Sequence, residues 1–157
     1  MGHLTWRINT HKKSQKSKVN PSTSLRVKTQ RLEWDEAREI KKDIVRIVNV
    51  LKLPHIDSSR IFCFRTRGSK SRSYARIWSM PKIFQKALNI KPAYVIEVLS
   101  KYFDRLDEDA KKKVLIHELL HIPKNFSGSL LPHRSHGRHL GKLASKLFEQ
   151  YKKSTSK

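Results

Sequence analysis

Val114-Leu-Ile-His-Glu-Leu-Leu-His-Ile122 is a nine-residue run in which His117, Glu118 and His121 are the only polar side chains. In a helix, residues four apart lie on one face a single turn from each other. The spacing therefore lets His117 and His121 offer imidazole nitrogens to one zinc ion, with Glu118 beside the open position. HExxH fixes only three positions, and chance matches are common. What sets this match apart is its apolar setting: a buried polar group costs about 1–3 kcal/mol unless it finds a partner. A metal ion would satisfy two of the three at once. The flanks read as helix ends. Asp107 suits an N-cap, Glu108 and Asp109 place negative charge in the first turn, and Pro123 marks the stop.

The chain has 157 residues, enough for one domain with a modest core. Lys and Arg number 35 against 13 Asp and Glu, a net charge of +22. Like charge at that density disfavours a compact state unless a partner neutralises it, and nucleic acid is the usual partner. No run of 18 apolar residues and no basic amphipathic helix speaks for a membrane. The single Cys63, flanked by Ile61, Phe62 and Phe64, excludes a disulfide framework and a Cys-based zinc ribbon, and reads as an inert thiol in a strand. The expected setting is cytoplasmic.

Three regions follow from composition. Residues 1–32 form a basic extended tail without a single acid, carrying Arg7, Lys12, Lys13, Lys16, Lys18, Arg26, Lys28 and Arg31. Residues 33–152 form the domain, and 153–157 a basic tip. Within the domain, Trp34, Ala37, Ile40, Ile44, Ile47, Val48 and Leu51 recur at helical spacing up to Pro54. Ile61–Arg65 and Tyr74–Trp78 read as strands of one hairpin, joined by a basic turn with Arg65, Arg67, Lys70 and Arg72. Lys82–Leu88 suits a short helical turn and Tyr94–Leu99 a strong strand. Leu140, Leu143, Leu147 and Tyr151 mark a last helix. The fold class is α+β, with a small antiparallel sheet packed on the HExxH helix and flanking helices.

A hydrolytic zinc site needs a third protein ligand as well as an open position. His133 and His136 fall at helical spacing with Leu140, on the inward stripe of the last helix, and either could serve. His139 lies off that stripe and is expected in solvent. His3, His11 and His55 are remote in sequence and are not candidates.

His117-Glu-Leu-Leu-His121, a 14-residue gap and then His136-Gly137 resemble the SprT-like zincin metallopeptidases. Tyr94-Val-Ile-Glu-Val and His121-Ile-Pro also resemble small archaeal and phage metallopeptidases of the HExxH type. The resemblance covers about residues 33–152. It implies zinc on His117, His121 and a later His, with Glu118 as catalytic base. Pro132-His133 keeps His133 open as a competitor of His136. Two functions then compete. One is a zincin-like, zinc-binding protein that chiefly binds RNA, rRNA before DNA, beside ribosomal proteins, with a ribosomal-protein-like basic extension. The other is an active zinc metallopeptidase acting on proteins bound or crosslinked to DNA. The tail and charge tilt the sequence reading toward RNA.

Overall fold

The computed structural model describes residues 31–135 and 138–156. Four strands make one sheet: β1 (Glu33–Glu36), β2 (Ile61–Arg67), β3 (Ala75–Ser79) and β4 (Tyr94–Leu99). Their order is β1-β2-β4-β3, with β2 and β4 parallel and the outer pairs antiparallel. The helices are α1 (Arg38–Val50), α2 (Lys82–Leu88), α3 (Ser100–Phe103), α4 (Glu108–Leu119) and α5 (Leu140–Thr155). A two-stranded ribbon, β5 (Arg134–Ser135) and β6 (Arg138–His139), precedes α5. The α+β class holds. Among the described residues no helix is long and apolar enough to cross a membrane.

The sheet corrects two expectations. It is mixed, because β4 lies between β2 and β3 and replaces the expected hairpin. The cause is visible in β4 itself, which is buried at five of six positions. A strand this deeply buried belongs in the middle of a sheet rather than at an edge. The loop at 68–74 therefore crosses over β4 rather than turning tightly. Trp34, expected to open the first helix, sits in β1 opposite Thr66 and is 58% exposed. Its spacing to Ala37 coincides with a helical step, but the chain is extended until Ala37 caps α1.

One face of the sheet carries the core. Ile61, Cys63, Tyr94, Ile96, Val98 and Ala75 are buried there, with Ile44 and Ile47 of α1, Leu115 and Ile116 of α4, and Phe148 of α5 in the same cluster. Burying each such aliphatic or aromatic side chain contributes about 1.5–3 kcal/mol. Arg65 ties this face together from its edge. Its guanidinium pairs with Asp104 after α3 and with Glu39 of α1 at 2.8 Å.

Candidate metal centre

Asp107 caps α4 as expected, accepting a hydrogen bond from the Ala110 N–H at 2.7 Å. At the other end the winding tightens. The N–H groups of Leu120, His121 and Ile122 donate to carbonyls three residues back, so α4 closes at Leu119 and His121 stands in the turn beyond it. Tightened last turns of this kind satisfy carbonyls a helix end would otherwise leave unpaired. The two imidazoles still meet, ring centre to ring centre at 5.2 Å.

A third imidazole joins them. His133 lies 4.6 Å from His121 and 5.3 Å from His117 between ring centres. One nitrogen from each of the three falls within 4.8 Å of the others. His133 does not reach the cluster from a helical face, as the spacing suggested. The last helix starts only at Leu140, and His133 comes from the loop before β5. His136 lies outside the described residues, as do His3, His11 and the basic positions Arg7 to Lys28. His139 is exposed, as expected.

Tyr94 explains how that loop is aimed. Its buried hydroxyl donates to the Ser129 carbonyl at 3.0 Å and accepts from the Gly128 N–H at 2.9 Å. Its ring meets Phe126 edge to face at 4.9 Å. Gly128 adopts φ of +79°, a conformation that side chains rarely tolerate. The loop then clasps His121 twice. The Leu131 N–H donates to the His121 carbonyl at 2.7 Å, and His121 Nδ1 lies 2.6 Å from the Leu131 carbonyl. That contact fixes the ring and leaves Nε2 free to ligate, the usual way a metal-binding histidine is oriented. Leu131 did not stand out in the sequence, because it acts through its backbone, and Tyr94 was legible there only as the start of a strand.

The electrostatics suit a cation. Burial first, and then the neighbouring imidazoles, hold His117 below the ordinary histidine pKa. Burial does the same for His121. Neutral rings keep their lone pairs, the form in which histidine binds metal. Three imidazoles are a donor set that fits a zinc-type ion with a position left for substrate. Glu118, 8% exposed, shares a pocket with His121, His133, Ile77 and Pro132. Burial pushes its carboxyl up to about 7, against a backbone hydrogen bond from Ile77 that acts the other way.

Ile77 also identifies what borders the site. Leu99 N–H donates to the Tyr74 carbonyl and Met80 N–H to the Ala93 carbonyl, so even-numbered residues of β3 bond to β4. In an antiparallel pair the alternate residues turn their backbone groups the other way. Ala75, Ile77 and Ser79 therefore face the outer edge of β3, where α4 brings Glu118. Of the basic positions expected to meet phosphate, Arg65 is already engaged by two carboxylates, and Arg67 pairs with Asp35 at 3.3 Å. Among the described residues Lys70 and Arg72 make no ion pair.

Searches of curated proteins and of solved structures return no match. A scan of protein families matches residues 32–153, most of the chain, and with an HExxH segment and a three-histidine cluster in that span, the chain belongs to the family described as "Putative phage metallopeptidase".

Proposed function

We propose that this chain is a zinc-dependent peptidase with His117, His121 and His133 as ligands and Glu118 as general base. The observation that carries the reading is the meeting of three imidazoles, two of which, His121 and His133, line one pocket with the buried Glu118 carboxyl beside an open strand edge. When bound, zinc would supply Lewis acidity, acidifying water and polarising a carbonyl oxygen. The protein's own groups do the rest. A carboxyl balanced near neutrality can both take and return a proton. Glu118 removes the proton of the attacking water and delivers it to the leaving amine. The outward backbone groups of Ala75 and Ser79, with the Ile77 carbonyl, would pair with an extended peptide, aligning a scissile bond with Glu118. The family and the histidine cluster favour this reading over RNA binding as the main activity. Proteins bound or crosslinked to DNA are the substrate class that the +22 charge favours.

The test is a pair of substitutions on the full chain. Glu118→Gln should keep close to one equivalent of zinc and lose at least about a hundredfold in hydrolysis of an unstructured protein substrate. His117→Ala, His121→Ala and His133→Ala should each lose the metal, whereas His136→Ala should retain it. Equal turnover in Glu118→Gln and its parent would overturn the role of Glu118. Metal loss in His136→Ala, with retention in His133→Ala, would exchange the third ligand.

A further inference from the structure

Among the described residues no helix or loop covers the face of the sheet turned away from the helices, and it is aromatic. Strand alternation puts Leu32, Trp34, Phe62, Phe64, Tyr74, Trp78 and Val95 on that side. Trp34, Phe62 and Trp78 are 58%, 52% and 51% exposed. Half of the exposed large hydrophobic residues among those described belong to this one face. Trp34, Phe64 and Trp78 wall a pocket of about 440 Å³ whose floor is Val95 and Glu97. Ser69, from the β2–β3 loop, stands on its rim, and Lys70 and Arg72 follow in the same loop without carboxylate partners among the described residues.

The charges on this face do not repel an anion as a bare acid would. Glu97 accepts hydrogen bonds from the Thr66 hydroxyl and from Trp78 Nε1 at 2.7 Å, and lies 3.9 Å from the Arg76 guanidinium. Glu36, the outward acid of β1, pairs with Arg38. A protein of net charge +22 offers this surface to polyanions before other partners. Exposed aromatics on an open sheet, with cations at the rim, are the chemistry that stacks unpaired bases while tracking a phosphate chain.

We propose that the outer face of the four-stranded sheet binds single-stranded nucleic acid, with bases stacked on Trp34, Phe62 and Trp78 and the backbone led along Lys70 and Arg72. The surface lies on the sheet face opposite α4, which carries His117 and Glu118, so its aromatic residues are turned away from the metal pocket. It is independent of whether that pocket turns over peptide.

The experiment uses the full chain and a labelled oligothymidylate of about ten nucleotides, a length within the range one such fold covers. Trp34→Ala changes no charge and removes a side chain that is more than half exposed. It should weaken binding roughly tenfold, within the range of one lost stacked base, while the slope of affinity against salt stays put. Trp34→Phe should restore most of the affinity. Lys70→Ala with Arg72→Ala should instead flatten the slope by about 0.7 per lost phosphate contact. Duplex DNA of the same length, whose bases are already stacked, should bind Trp34→Ala and parent alike. Equal affinity of parent and Trp34→Ala for the oligothymidylate would overturn the proposal, leaving only diffuse charge attraction. So would a concentration-dependent dimer abolished by Trp34→Ala, which would make the face an interface between copies.

Discussion

Glu97, on the uncovered face of the sheet, and Glu118, on the helix packed against the covered face, are the two buried carboxylates of the described fold. Their surroundings treat them in opposite ways. Glu97 is met by a hydroxyl, an indole N–H and a guanidinium. Glu118 has one backbone hydrogen bond, from Ile77, against a dominant cost of burial. A carboxylate supplied with donors is part of the scaffold, because its charge is answered in place. One left nearly bare, beside three imidazoles that can hold a cation, suits the proton transfer proposed for it. Buried acids are thus told apart by their donors rather than by their depth.

The contrast is sharpest in stability. In metal-stripped protein the folded state keeps the Glu118 proton up to about pH 7, while the unfolded chain releases it near the ordinary 4.5. The folded form binds more protons across that window, so stability falls as pH rises through it and stays low above it. The loss amounts to roughly 3 kcal/mol. Glu118→Gln removes the ionisation. The metal-stripped variant should therefore be more stable than its parent at pH 8 and nearly equal to it at pH 4, by urea unfolding. His117 and His121, with lowered pKa values, act in the other direction, losing stability as pH falls below the usual 6.5. They are present in both proteins and largely cancel in the difference. A gap that does not change with pH would show that burial of Glu118 costs the fold nothing.

Glu97→Ala should move stability the opposite way. It strands the Thr66 hydroxyl, which is 1% exposed, at a cost of about 1–3 kcal/mol. Arg76 and Trp78 are partly exposed and can turn toward water, so they add less. A net loss of roughly 2 kcal/mol is expected from the same unfolding measurement. A variant as stable as its parent would mean that the three donors find water unaided, and would erase the difference between the two acids.

The parts of this molecule legible in sequence are those fixed by local chemistry. Asp107, the HExxH spacing, the Lys82–Leu88 turn and the Tyr94–Leu99 strand all depend on neighbours within a few residues, and the structure has them where they were read. Strand order was not legible, since no local signal says that β4 enters between β2 and β3. Trp34 was misplaced because a single three-residue step to Ala37 imitates a helix. His133 came within reach of the cluster for a reason outside any helical face: Tyr94 and Leu131 shape the loop through hydroxyl and backbone contacts. Glu97 reads only as a polar break in an apolar strand. Its three donors arrive from β2 and β3, which pattern alone could not bring together.

Cys63 supplies the smallest effect and isolates burial from chemistry. It lies on the covered face, 3% exposed, between Ile61 and Arg65 of β2 and opposite Ile96 of β4. Burial pushes its thiol up to about 11, more than the nearby Lys41 charge lowers it. The thiolate is the reactive form, so almost none is present at pH 8 in the folded protein. A disulfide reagent such as Ellman's should label Cys63 only as fast as the fold opens, and at the ordinary rate in denaturant. Cys63→Ala should cost about 1 kcal/mol, the loss of one small buried group with no hydrogen bond of its own to break. It should leave both the histidine cluster and the aromatic face as they are. Rapid labelling of the native protein would mean that the covered face breathes far more than its packing implies. Glu118 would then be wetter than its geometry suggests, and the upward shift of its carboxyl would have to be smaller.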